Sequence, residues 1–173
     1  MNPARELNEK VQHAILARTF NNTATKLIQE GRFEEAAAKL KEALRLDPDN
    51  ANTHYNCGVA FLESHHPNQA IAELKTALRL RADQADAYYY LGRVWLMQGQ
   101  PAEAAKALEE GLRLKPGDDR AHNVRAVALA EMRQYSEAAQ ELELALKLEP
   151  ENQLFRENLG CLERRLSGCE LKP

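Results

Sequence analysis

Alanine stands at Ala36, Ala70, Ala104 and Ala138, 34 residues apart each time, with no insertion or deletion between them. A fixed period of this length marks a chain built from one small supersecondary unit, repeated and stacked so that each copy buries a face against its neighbours. Four units run in phase, at residues 17–50, 51–84, 85–118 and 119–152. Each ends in Leu-x-Leu, at Leu44/Leu46, Leu78/Leu80, Leu112/Leu114 and Leu146/Leu148. Three then close with proline, at Pro48, Pro116 and Pro150, which cannot continue a helix. Ala82 takes that place in the second unit, so the helix there is expected to run further or turn less sharply.

Within each unit, small residues recur where two helices approach closely. They are Ala24, Gly58, Gly92 and Ala126 at the eighth position, and Ala43, Ala77, Gly111 and Ala145 at the twenty-seventh. Larger groups fill the spaces between. Phe20, His54, Tyr88 and His122 stand at the fourth position, Leu27, Phe61, Trp95 and Leu129 at the eleventh, and Leu40, Leu74, Leu108 and Leu142 at the twenty-fourth. Small and large residues alternating at helical spacing let antiparallel helices interdigitate without voids. Gly31 and Gly99 end the first helix of their units, where a left-handed residue is wanted, and Pro67 and Pro101 open the second. His65 and Arg133 replace glycine in the other two turns, which are therefore less well specified.

This pattern resembles the tetratricopeptide repeat family throughout residues 17–152. The resemblance implies an all-α fold, a right-handed α-α superhelix of four helix–turn–helix repeats, and the role of stand-alone bacterial repeat proteins that act as adaptors or scaffolds. Arg125 departs from the family, which has leucine at that seventh position. Its aliphatic stem is expected to pack while the guanidinium reaches water, pairing with a carboxylate being the alternative.

Both ends leave the repeat. Residues 1–16 carry no glycine or proline before the first repeat beyond Pro3, so one long helix from about Pro3 to Glu30 is expected. Leu7, Val11, Ala14 and Ile15 fall on one side of it. That stripe either folds over the first repeat as a cap or packs against a second copy of the chain. Residues 153–166 restart a first-helix pattern and turn charged at Glu163, Arg164 and Arg165, as a capping helix requires; 167–173 are expected to fray.

Charge and composition narrow the partner class. A net charge of −3 argues against nucleic acid or an anionic membrane surface, and no apolar run reaches the roughly 18 residues of a membrane span. Cys57, Cys161 and Cys169 cannot all pair within one chain. With no secretion signal at Met1 to Leu7, the expectation is three reduced thiols in a cytoplasmic protein.

No constellation asks for catalysis, a cofactor or a metal. His65-His66 lies in a turn without a third ligand, and His54 and His122 occupy a packing position. No phosphate-binding glycine loop or nucleophile elbow is present. The resemblance directs attention instead to the concave surface, lined by positions two, five, six, nine and twelve of each first helix. The lining carried over in this way is Arg18, Asn21, Asn22 and Thr25, then Asn52, Tyr55, Asn56 and Val59. It continues with Asp86, Tyr89, Tyr90, Arg93 and Leu96, and with Arg120, Asn123 and Val127; Asn158 and Cys161 extend it from the cap. Asparagine both donates and accepts, so Asn22, Asn56 and Asn158 suit the main chain of an extended peptide, as in the superhelix of O-linked glycosyltransferases, although Tyr90 and Val124 interrupt that ladder. The carboxylate clamp of chaperone-binding relatives is not matched, because Asn21, Thr25, Asp86 and Tyr90 stand where its other residues belong.

The expected function is therefore a non-catalytic scaffold that binds a peptide segment of a partner protein in that groove during assembly of a larger complex. A self-assembling oligomer built through the N-terminal helix is the alternative, along with a secretion-type chaperone, a class that typically has three repeats where four are found here.

Overall fold

The computed structural model describes residues 3–164 and 171–173. Among the described residues there are nine helices and no strand. They are α1 (Pro3–Gln29), α2 (Phe33–Leu46), α3 (Ala51–Glu63), α4 (Pro67–Leu80), α5 (Ala85–Met97), α6 (Pro101–Leu114), α7 (Asp119–Glu131), α8 (Tyr135–Leu148) and α9 (Gln153–Arg164). The chain divides into two compact units, Met1–Ala82 and Asp83–Pro173. In the first, α1 pairs with α2 and α3 with α4, while α2 packs on α3 and α1 touches α3. In the second, α5–α6 and α7–α8 form the hairpins, α6 packs on α7, α8 on α9, and α5 touches α7.

All four hairpin turns have one geometry. Gly31 and Gly99 have φ of 73° and 66°, and His65 and Arg133 adopt φ of 60° and 62°. The hydrogen bonds are alike too. Arg32, His66, Gln100 and Gln134 donate their N–H to the carbonyls of Leu27, Phe61, Trp95 and Leu129, at 2.7–2.9 Å. This six-to-one bond closes a Schellman motif, which satisfies helix-end carbonyls and demands a left-handed residue just before the donor. The two turns without glycine are thus as well specified as the others, at the steric cost of a side chain in that region. The second unit's missing proline is equally without effect. Helix α4 stops at Leu80 in register with α2, α6 and α8, and the Arg81 N–H bonds the Ala77 carbonyl at 2.8 Å with extended backbone.

The core of each unit sets buried leucines against small residues. Leu40, Leu74, Leu108 and Leu142 are fully buried, as are Ala24, Ala36, Ala70, Ala104, Ala126 and Ala138. A Cβ on Gly58 would lie 2.5 Å from Leu74 Cγ, and one on Gly92 would lie 2.5 Å from Leu108 Cγ. Those glycines are there for close approach, not for backbone freedom.

The histidines tie hairpins to the preceding turn. His54 sits 2.6 Å from Glu73 through Nδ1 and 2.8 Å from the Pro48 carbonyl through Nε2. His122 repeats this with Glu141 at 2.6 Å and the Pro116 carbonyl at 2.9 Å. At His122 the two acceptors, Glu141 and the Pro116 carbonyl, favour the imidazolium, in which both nitrogens donate. Arg125 joins the second cluster: its Nη1 pairs with the other Glu141 oxygen at 2.5 Å, and its Nε is buried with no hydrogen-bond partner among the described residues. Of the two expectations, pairing with a carboxylate is the one observed, although the side chain stays 25% exposed. A buried carboxylate already committed to His122 draws it inward.

Two further expectations change. The apolar stripe on α1 is not folded over the first repeat, since Leu7, Val11 and Ile15 are 65%, 47% and 48% exposed. Helix α1 runs from Pro3 to Gln29, so the stripe stands on the part of it that precedes the first repeat at residue 17. Cys161 is disulfide-bonded, Cys57 is free and buried, and Cys169 lies outside the described residues. Pairing depends on which sulfurs the fold brings together, not on spacing. Disulfides persist in oxidising surroundings, so the thiol argument for a cytoplasmic location falls. No described helix is long and apolar enough to cross a membrane.

Candidate functional site: the first-helix faces

In the first unit, α1 and α3 bring Asn21, Thr25 and Asn56 together. The Asn56 amide donates to Asn21 Oδ1 at 3.0 Å and approaches Thr25 Oγ1 at 3.4 Å, while the Thr25 hydroxyl donates to its own helix at the Asn21 carbonyl. Asn52 accepts from Arg81 Nη2 at 2.7 Å. Tyr55 is half-buried, Arg18 and Asn22 are exposed, and Val59 is buried and so presents no side chain to a ligand. Asn22 is not joined to Asn56; the residue one position earlier, Asn21, makes that contact.

In the second unit, α5 and α7 build an aromatic and cationic cluster. Tyr89 and Tyr90 meet edge to face at 5.2 Å. The Arg93 guanidinium lies 5.9 Å from the Tyr89 ring centroid and 5.6 Å from that of Tyr90. Arg120 covers Tyr89 at 4.8 Å and reaches Asp86 at 3.6 Å and Asp118 at 3.5 Å. Asp118 is itself the cap of α7, accepting from the Ala121 N–H. Burial alone would raise its carboxyl, but Lys115, the Ala121 amide and Arg120 outweigh that and hold it below the usual range. Arg120 is thus neutralised by two carboxylates and serves to fix the Tyr89 ring. Burial pushes the Tyr89 phenol up against the pull of Arg93 and Arg120, which keeps it a neutral O–H donor.

Helix α9 closes the second unit's face. Asn123 and Asn158, both 2% exposed, are joined by a bond from Asn158 Nδ2 to Asn123 Oδ1 at 2.8 Å. Of the tail expected to fray, residues 167–170 lie outside the described residues, and segment 171–173 lies on this pair. The Lys172 N–H donates to Asn158 Oδ1 at 3.0 Å, and its carbonyl accepts from Asn158 Nδ2 at 2.8 Å and Asn123 Nδ2 at 3.1 Å. Val127 is buried, and Leu96 packs against the cluster of Leu108, Leu112, Ala121 and Val124. The part played by Lys172 escapes a reading of repeats, because it lies outside them. A signal for the pairs exists nonetheless: Asn21/Asn56 and Asn123/Asn158 share the 35-residue separation and stand three periods apart.

The thiol and the two imidazoles of these hairpins are already committed to packing and hydrogen bonding. Burial, with the charge of Glu73, pushes the Cys57 thiol up to about 12, so it is no nucleophile at neutral pH. Both nitrogens of His54 and of His122 are already engaged.

Hairpins of this period, with this punctuation and this face, define a helical-repeat interaction protein. Family profiles described as TPR repeat, over residues 25–64, and as tetratricopeptide repeat, over residues 55–119 and 119–152, match the sequence. The chain belongs to the tetratricopeptide repeat family. Among solved structures it is similar to MamA from Desulfovibrio magneticus RS-1, with 26% identity, a TM-score of 0.80, and coverage of 86% of this chain and 84% of that one. It is also similar to YrrB, described as a TPR protein with an unusual peptide-binding site, at 25% identity and a TM-score of 0.73, covering 84% and 75% of the two chains. The pilF protein of Pseudomonas aeruginosa shares the fold at 22% identity and a TM-score of 0.80, over 89% of this chain and 70% of that one. No curated protein matches the sequence.

Proposed function

We propose that the chain is a non-catalytic scaffold that holds a peptide segment of a partner protein against its first-helix faces, in the assembly of a larger complex. The observation that carries this reading is the Tyr89–Tyr90 platform, braced by Arg93 and by an Arg120 whose charge is already matched. Rings held in place lose little entropy on binding, and tyrosine is enriched among residues that dominate interface energy. The peptide-binding site in the name of YrrB supports the same reading. Around the platform, Asp86, Arg93 and Arg120 offer polar contacts, and on the other unit Arg18, Asn22, Thr25, Asn52, Tyr55 and Asn56 do so.

Tyr89→Ala with Tyr90→Ala is expected to lower capture of the native partner by about thirtyfold, the effect of losing a hot spot worth about 2 kcal/mol. Helical circular dichroism should stay the same. Undiminished capture by a folded double variant removes this face from the function.

A second reading rests on α1. Leu7, Val11, Ile15 and Leu16 are 44–65% exposed, and Ala14 is exposed beside them, an apolar stripe with no cover from the described residues of its own chain. A second copy packing there would bury it. Leu7→Glu with Val11→Glu is then expected to reduce the mass measured by light scattering to that of a single chain. A wild-type chain already monomeric at high micromolar concentration sinks this reading.

A further inference from the structure

The Asn123–Asn158 pair treats Lys172 as a ligand. One side-chain amide donates to the Lys172 carbonyl and accepts from its N–H, the pattern by which a neighbouring strand reads a residue. Asn123 adds a second donor to that carbonyl. Every polar atom of the Asn158 amide is then used, since its remaining N–H goes to Asn123. Such a clasp reads main chain and tolerates any side chain, but it requires an N–H and so rejects proline at the clasped residue.

The first unit holds a counterpart of this pair with no clasped segment on it among the described residues. In the first unit, Asn56 makes the same bond to Asn21 at 3.0 Å, with the same 35-residue separation. There Asn21 and Asn56 are half-buried, whereas Asn123 and Asn158 are each 2% exposed, under the segment that covers them.

The flanking side chains add a preference. Leu171 is partly buried against the cluster containing Leu129, Leu142 and Phe155. The Lys172 ammonium stands 3.9 Å from a Glu157 oxygen, with both groups largely exposed, so this pair guides more than it holds.

From this geometry we infer that Asn123 and Asn158 form a peptide-binding subsite shut in cis by the chain's own Leu171–Lys172. Its ligand in trans is an extended segment of a partner protein with leucine followed by a cationic residue. The partner must displace the chain's own copy of that motif. This rests on the reading of the first-helix face as a peptide-binding surface and adds to it a built-in competitor. An intramolecular ligand on a short connection acts at millimolar effective concentration, so it lowers the apparent affinity of any competitor by the fraction of time the site is free.

The test uses the full chain with the Cys161 disulfide intact and compares two forms, the natural sequence and Lys172→Pro, with Leu171→Ser as a third for grading. The probe is the capped peptide acetyl-Gly-Gly-Leu-Lys-Pro-Gly-amide, followed through the side-chain amide signals of Asn123 and Asn158. In the natural chain the Lys172 amide should exchange at least about tenfold more slowly than in an unstructured peptide. If the segment fills the site nine-tenths of the time, Lys172→Pro should raise probe affinity about tenfold. Leu171→Ser, which leaves the N–H in place, should raise it by less. A probe with proline in place of lysine should bind neither form. Equal affinity for the two forms, or no shift in either at about 5 mM peptide, a level matching the effective concentration of a short tether, overturns the proposal and leaves segment 171–173 a fixed cap. A natural chain of double mass that becomes single with Lys172→Pro also overturns it, since the segment would then come from a second copy. Partner capture through Tyr89 and Tyr90 is read separately, so loss of one result does not decide the other.

Discussion

Glu141→Ala is expected to destabilise the second unit by about 3 kcal/mol, at the lower end of the cost of removing one partner from a buried ion cluster. Glu141 serves two cations at once: its carboxylate takes His122 Nδ1 on one oxygen and Arg125 Nη1 on the other. The side chains of Glu141 and His122 are each 10% exposed, and that of Arg125 is 25% exposed. Removal would leave the Arg125 charge without its carboxylate and His122 with burial and Arg125 both opposing its proton, in a site with little water. Arg125 retains a partial route to solvent, which is why the larger values are not expected. Urea denaturation followed by circular dichroism measures the effect. Glu141→Gln, which keeps the shape and loses the charge, should fall between the natural chain and the alanine variant.

The same cluster sets a pH dependence. Burial is the largest single influence on His122 and works against its charge, but Glu141 and the Pro116 carbonyl together overcome it and raise the pKa above the ordinary 6.5. A group whose folded pKa is raised binds its proton more tightly in the native state. Its stabilisation is complete below the ordinary value of 6.5 and is lost as the pH rises through the folded value. The natural chain should therefore weaken between slightly acid and mildly alkaline pH, and Glu141→Ala should lose that slope. A natural chain equally stable across this range would show that the cluster is not an ion pair in solution.

The second large effect is at a buried leucine of the second unit. Leu108→Ala is expected to cost about 3 kcal/mol, because Leu108 is fully buried and its removal leaves a cavity in a close-packed interior. Gly92→Ala should also destabilise, by about 1–2 kcal/mol, since its new Cβ would lie 2.5 Å from Leu108 Cγ and 2.9 Å from Cδ1. Together the two changes should cost at least about 1 kcal/mol less than their sum, because directly touching residues do not behave additively. The added methyl enters the space that the leucine vacates. A double variant as unstable as the sum would mean that Gly92 is kept for a reason other than room for Leu108.

The repeats are legible because each depends on neighbours in sequence. Alanines at one period, glycine at the hairpin turns and leucine at the twenty-fourth position report contacts inside one hairpin or with the next. Even so, His65 and Arg133 bend as glycine does, and Arg81 ends α4 without a proline nearby. A helix end has its own hydrogen-bonding demands, and the repeat meets them whichever residue is present.

The face is legible as a set of positions and not as a set of contacts. Tyr89 and Tyr90 stand in the lining register, yet nothing in the spacing says that Arg120 commits its charge to Asp86 and Asp118. Val59 and Val127 share that register and are nonetheless buried. Glu141 belongs to a second helix, outside the lining positions altogether, although it stands 19 residues after His122 as Glu73 does after His54.

The order of residues alone determined the all-α helical-hairpin fold and the family, since these arise from short-range periodicity and turn chemistry. Only the tertiary structure decided that Arg125 turns inward, that Cys161 is oxidised, and that Lys172 lies across Asn123 and Asn158. The contacts of Arg125 and Lys172 join groups far apart along the chain, up to 49 residues for Asn123 and Lys172. No local pattern encodes such a meeting, because it comes from the packing of whole helices and not from the preferences of any one of them.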